Sequence, residues 1–279
     1  MKIKSKYYIN IVMLIFLFSL LACSGEKENL EPNQHKHTIE ETSELIILSV
    51  TNGELDQLEK LIKNNSIINK PSKIGITPLI AAIKAGKIEV IQYLIEKGAD
   101  VNQASMGLTP LASGIYKNDI RSVKLLLNSG ADPNKKSHDH SPLTFAILNN
   151  NKQIINELII YKANVNGKDS FDGMTELMKA CLSKDASIVQ LLISSGADLN
   201  AKVKGKDISV LGFASMVSND KIIKILIDNN AIFNQTEKSK ALCLSIIRNN
   251  KSTNKYLISK GAKIDPSLKI CQKALSSKE

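Results

Sequence analysis

An asparagine returns at nearly constant intervals through most of this chain, as Asn69, Asn102, Asn134, Asn166, Asn200 and Asn234, with Asp265 in the equivalent last place. The intervals are 33, 32, 32, 34, 34 and 31 residues. A fixed period of this length marks a solenoid, because one unit cannot bury its own apolar face and neighbours must stack to make a continuous core. The clearest unit opens at Thr77-Pro78-Leu79 and runs through Ala81-Ala82, Gly86, Ile88-Glu89-Val90-Ile91 and Leu94-Ile95 to Gly98-Ala99-Asp100-Val101-Asn102. Its opening turn recurs as Thr109-Pro110-Leu111 and Ser141-Pro142-Leu143, then decays to Thr175-Glu176-Leu177 and Ser209-Val210-Leu211. Seven repeats cover about residues 43 to 265.

Each unit reads as a pair of helices. Thr or Ser caps the first, and Pro at its first position loses nothing because that N–H has no intrahelical partner. Helices are therefore predicted to start at Thr77, Thr109 and Ser141. Small residues such as Ala82, Ala146, Ala180 and Ala214 let neighbouring units approach. The second helices carry apolar faces at helical spacing, as in Ile91, Leu94 and Ile95 or Ile155, Leu158 and Ile159. Gly98, Gly130, Gly196 and Gly261 stand where a left-handed residue ends the second helix, with Asn65 and Asn230 as tolerable substitutes. Lys162 is a poor substitute there and predicts an irregular helix end. End units should be atypical and polar; the first lacks Thr-Pro-Leu, and the last has Thr253 and Asn254 where inner units carry apolar pairs.

The unit from Thr77 to Asn102 resembles an ankyrin repeat nearly throughout. The resemblance implies an all-α ankyrin-repeat solenoid of about seven helix-turn-helix repeats joined by hairpin loops. It also implies a binding scaffold whose partner lies along hairpin tips and inner helices. The variable positions of that surface fall here on Lys84, Tyr116, Leu148, Leu182, Met216 and Ile247, five of them large and apolar. This stripe reads either as an interaction site or as core between repeats. Lys135, Lys136, Lys202, Lys204 and Lys206 on the hairpins would steer an acidic partner, or are simply solvated loop lysines.

The N-terminus reads differently. Lys2, Lys4 and Lys6 precede a twelve-residue apolar stretch, Ile11 to Ala22, too short for the roughly 20 residues of a spanning helix. It ends in Leu20-Leu21-Ala22-Cys23, which resembles the lipobox of bacterial lipoproteins. That resemblance implies a signal peptide over 1–22 and acylation of Cys23; the polar, charged and aperiodic stretch that follows reads as a flexible tether over 23–42, ahead of the repeats over 43–265 and a tail over 266–279. The resemblance further implies a membrane anchor in the bacterial cell envelope facing the periplasm or the outside, with Ser24 favouring the outer membrane.

Composition supports a folded, non-catalytic chain. Hydrophobic residues make up 43% and charged residues 23%, a globular balance. The net charge of +10 falls to +7 without the three leader lysines, and with no Trp and 4% aromatics there is little to stack on bases, so no nucleic-acid partner is expected. No Gly-rich phosphate loop, HExxH helix or Gly-x-Ser-x-Gly elbow occurs. His35-Lys36-His37 falls in the tether, and His138-Asp139-His140 sits on a hairpin tip, where an exposed turn outweighs a metal site that needs three or four converging ligands. Cys181 reads as a small buried hydrophobe, while Cys243 and Cys271 either pair or stay reduced. The expectation is a monomeric scaffold or adaptor for a protein partner, without cofactor or metal; the alternative is an immunity-type inhibitor of a toxin or enzyme in the periplasm.

Overall fold

The computed structural model describes residues 39–62, 67–169, 172–183, 185–203, 205–217 and 220–276. Within them seven helix pairs follow one another. The inner helices are α1 (Ile39–Asn52), α3 (Pro78–Ala85), α5 (Pro110–Tyr116), α7 (Pro142–Leu148), α9 (Glu176–Ser183), α11 (Val210–Val217) and α13 (Gln235–Ile247). Their outer partners are α2 (Leu55–Leu61), α4 (Ile88–Glu96), α6 (Ile120–Asn128), α8 (Lys152–Ile160), α10 (Ala186–Ser194), α12 (Asp220–Asp228) and α14 (Lys251–Ser259). A last helix, α15 (Lys269–Ser276), packs on α13. The signal peptide, Cys23 and the His35-Lys36-His37 cluster lie outside the described residues. Among the described residues no helix is long and apolar enough to cross a membrane.

The helix starts follow from their sequence. Thr109 Oγ1 accepts the N–H of Ala112 at 3.1 Å and Ser141 Oγ accepts that of Thr144 at 2.9 Å, each satisfying a donor that the first turn leaves open. Thr77 holds the same place before α3 without such a bond. The outer helices begin at polar caps as well: Asp119 accepts from Ser122, Asn151 from Ile154 and Asp185 from Ser187.

The ends are as regular. Gly98, Gly130, Gly196, Gly261 and Asn230 all have positive φ after an outer helix, while Asn65 lies outside the described residues. Lys162 corrects the sequence expectation, because it takes φ 65° and leaves the helix end regular. Ala163 N donates to Leu158 O at 2.9 Å, the same bond that Ala99 makes to Leu94. Asn134 Nδ2 also donates to Lys162 O at 3.2 Å, so the neighbouring repeat helps hold a conformation that costs a non-glycine residue about 1 kcal/mol.

The recurring asparagines are the ties between units. Asn69, Asn102, Asn134 and Asn166 each accept a backbone N–H from the next repeat, of Asp100, Asp132, Asn164 and Asp198 respectively, at 2.7–2.8 Å. Stacking then closes the core: Leu94, Leu126, Leu158, Leu192, Leu226 and Leu257 occupy equivalent places in successive outer helices and are all fully buried. Burial of each such side chain contributes about 1.5–3 kcal/mol.

Both ends depart from expectation in detail. Helix α1 starts at Ile39, inside the stretch read as tether, and α15 forms inside the stretch read as tail. A disulfide joins Cys243 of α13 to Cys271 of α15 with Cα atoms 5.0 Å apart. Thr253 is fully buried instead of facing solvent, since Oγ1 donates to Asp220 at 3.3 Å, and Asn254 accepts from Ser245. These two polar residues of the last repeat are thus partnered within the stack.

Candidate protein-binding surface

The inner helices end on a row of side chains, because one residue per repeat falls at the same place in the last turn. Lys84, Tyr116, Leu148, Leu182 and Met216 form this row. Leu148 and Leu182 are each 41% exposed, unusual for leucine in helices whose other faces are closed. Met216 and Tyr116 are half-buried. The Tyr116 ring lies 5.1 Å from that of Phe145 at 48°, and burial raises its phenol above the ordinary value. Ile247 holds the corresponding place at the end of α13. It is half-buried like Tyr116 and Met216, but it packs with the separate apolar cluster around Cys243, Cys271 and Ala274 that ties α13 to α15.

The lysines divide in the same way. Lys135 and Lys136 are exposed at the root of the hairpin whose strands bridge Ser137 to His140. Lys206 is exposed too. Lys202, however, is paired with Asp207, which also pairs with Lys240. Hydrogen bonds from these two ammonium groups lower the Asp207 carboxyl to about 2. Lys202 therefore has a partner within the chain, and Lys204 lies outside the described residues.

Through Phe145 the row connects to a polar seam that sequence reasoning missed. Phe145 meets His140 edge-on at 5.6 Å, and His140 Nδ1 stands 2.7 Å from Asp169 Oδ2. Asp169 is also paired with Lys179, whose side chain is only 2% exposed, and Asp172 lies 3.7 Å from the same ammonium group. One turn away Glu176 accepts from Ser141 Oγ at 2.7 Å and Thr144 Oγ1 at 2.8 Å. Burial raises the Glu176 carboxyl despite these bonds and the nearby Lys179. A signal was available: Lys179 stands where the other repeats place Ala81, Ser113, Phe145 and Phe213, and Glu176 stands where three of them place proline.

The seam also settles the His138-Asp139-His140 turn. His138 and Asp139 take φ 47° and 68°, as a two-residue hairpin turn requires. The His138 ring lies over Gly107, where an added side chain would collide with it, whereas His140 turns inward to Asp169. The two imidazoles are thereby committed to different neighbours. Among the described residues no group of three or more metal-ligating side chains converges.

Comparison with known proteins follows this geometry. A family model described as ankyrin repeats (3 copies) matches residues 46–137 and 135–203, more than half of the chain. The human DNA-binding protein RFXANK is 53% identical over 49 residues, 17% of this chain, and the chain spans 19% of that relative's length. The crystal structure of the human ASB11 ankyrin repeat domain matches with a TM-score of 0.62 at 24% identity, covering 79% of this chain and 99% of that one. The ankyrin repeat domain of Bcl-3, of the IkappaB protein family, matches with a TM-score of 0.59 at 20% identity, covering 82% of this chain and 90% of that one. At these identities the two structures show the fold.

The same findings correct the reading of the N-terminus. The relatives are ankyrin-repeat proteins, RFXANK and ASB11 being human, and none of the three is a bacterial lipoprotein. The signal peptide, acylated Cys23, membrane anchor and location in the envelope or periplasm are therefore withdrawn. That reading rested on a short basic and apolar leader and four residues before the repeats, a pattern far less specific than a period kept over seven units. By its period, its helix pairs and the family model that matches residues 46–203, the chain belongs to the ankyrin-repeat family and is a non-catalytic protein–protein interaction module.

Proposed function

We propose that the chain acts as an adaptor whose protein partner lies along the ends of the inner helices, over Tyr116, Leu148, Leu182 and Met216. The observation that carries this reading is the exposure of Leu148 and Leu182 in successive repeats. An isolated exposed leucine is ordinary, but two at equivalent places beside half-buried Tyr116 and Met216 make a continuous apolar strip. Large side chains at the centre of such a strip tend to dominate binding energy. Lys135, Lys136 and Lys206, exposed on the loops that lead into the inner helices, would speed association with an acidic partner more than they would slow release.

A photo-crosslinking amino acid at Leu148 or Leu182, tested in extract from cells that express the chain, examines the reading directly. Both positions should capture one and the same protein, and an equivalent probe at Gln190, exposed on outer helix α10, should not. Equal capture from all three positions, or capture from Gln190 alone, would move the partner off the inner helices.

A further inference from the structure

Charge is segregated along the stack. Residues 39–220 carry 20 Lys and Arg against 20 Asp and Glu, whereas residues 221–276 carry 11 against 3. The net positive charge of the repeats therefore belongs to α12, α13, α14 and α15 with their loops. Internal pairing does not consume it, since among the described residues the ion pairs of this region are those of Lys240 with Asp207 and Glu237.

Four of these cations gather on the outer side. Asp220, at the start of α12, accepts hydrogen bonds from Ser252 Oγ and Thr253 Oγ1 at the start of α14. This tie sets the first turns of the two outer helices side by side. Lys221 and Lys251 flank it in sequence, Lys224 and Lys255 follow about one turn on, and all four are exposed. Like charges on the first turns of adjoining helices repel one another, and a partner bearing carboxylates would relieve that repulsion.

The choice of partner turns on Ile258. It is 58% exposed and stands seven residues after Lys251 and three after Lys255, on the same stripe of α14. A nucleic-acid backbone offers nothing apolar to this side chain, and the four cations include no arginine fork for phosphate. We infer that the outer face of the last two repeats, Lys221, Lys224, Lys251, Lys255 and Ile258, docks an acidic protein segment that carries apolar residues between its carboxylates. This second surface lies on outer helices and is independent of the inner-helix strip.

The test uses the full chain and three fluorescent probes at low salt: an 18-residue peptide of repeated Glu-Glu-Leu, the same peptide with Ser for Leu, and a 20-base-pair DNA duplex. Charge reversal of the four lysines to Glu should weaken the Glu-Glu-Leu peptide by about 30-fold or more. The four Lys→Gln changes, which add no new repulsion toward Asp220, should weaken it by about tenfold. Ile258→Ser should weaken the Leu peptide by about fivefold and leave the Ser peptide unchanged. Lys70→Glu with Lys73→Glu, exposed lysines ahead of α3, should alter neither peptide's binding, and circular dichroism melts of all variants should match the parent. Three outcomes would overturn the proposal: equal peptide binding by the parent and the four-Gln variant, no measurable binding by the parent, or DNA bound more tightly than the Leu peptide with a steep salt dependence.

Discussion

Asp132 donates its backbone N–H to Asn102 Oδ1 at 2.8 Å while Asn102 Nδ2 donates to Gly130 O at 3.0 Å, so one side chain closes its own repeat and finishes the outer helix of the next. Gly130 and Asp132 sit where helix α6 ends and its backbone groups have no helical partners. Asn102→Ala should cost about 1–2 kcal/mol in urea unfolding, toward the lower end because the site is open to water. Asn102→Asp keeps the acceptor, loses the donor and should recover part of the loss. Hydrogen exchange should quicken first around Gly130–Asp132; unchanged exchange there would remove the asparagine as the tie between units.

Lys179 and Asp169 are a buried pair, and removing one partner is expected to be worse than removing both. Asp169→Ala leaves an ammonium group 2% exposed without its principal counter-charge and should cost about 3–5 kcal/mol. Asp169→Leu combined with Lys179→Met removes both charges and should cost clearly less. Denaturant midpoints of both single variants and the double variant decide it, and an additive result would mean that the two charges act separately.

Tyr116 and Leu148 share a row, but their surroundings part their roles. The Tyr116 ring packs on Phe145, so Tyr116→Ala should lower stability by about 1–3 kcal/mol as well as weaken partner binding. Leu148→Ala removes a side chain already 41% open and should leave the melting temperature nearly unchanged. Early melting of Leu148→Ala, with normal binding once folded, would place the strip in the core.

Glu176 makes the fold sensitive to pH in a direction opposite to the usual acidic group. Burial raises its folded value above the ordinary 4.5, so folding favours the protonated acid. The associated stability is present below the unfolded value and is lost as pH rises through the folded value. Glu176→Gln keeps an acceptor for Ser141 and Thr144 without a charge to ionise. Its stability relative to the parent should therefore grow between about pH 4 and about pH 7, as read from urea midpoints. A constant difference across that range would mean that Glu176 ionises as readily in the fold as outside it.

The disulfide should stabilise mainly the last repeat. It links residues 28 apart, and by loop-closure entropy Cys271→Ser should cost about 3–4 kcal/mol. In a stack held by nearest neighbours the loss should appear as faster exchange in α13, α14 and α15, with α3 to α7 unaffected. Loosening that reaches α3 equally would show the stack to be one cooperative unit.

The sequence by itself determined the architecture: the spacing of Asn69 to Asn234, the capped starts at Thr109 and Ser141 and the apolar faces ending in Leu94 or Leu192 are local instructions that recur from unit to unit. Each acts within its own unit or on its immediate neighbour, so it is legible in a linear pattern. The tertiary structure alone decided what depends on two distant side chains meeting. Lys162 reads as a misfit until Asn134 and Ala163 are seen to hold it. Ile247 reads as part of an open row until it is seen to pack with the cluster around Cys243 and Cys271, and Lys202 as a free steering charge until Asp207 pairs with it. His140 and Asp169 lie 29 residues apart, and only stacking brings imidazole, carboxylate and the Lys179 ammonium group into one seam. A period specifies where each residue stands, whereas the fate of a charge depends on what the next repeat places against it, since burial penalises an unpaired charge and rewards a paired one only in the right geometry.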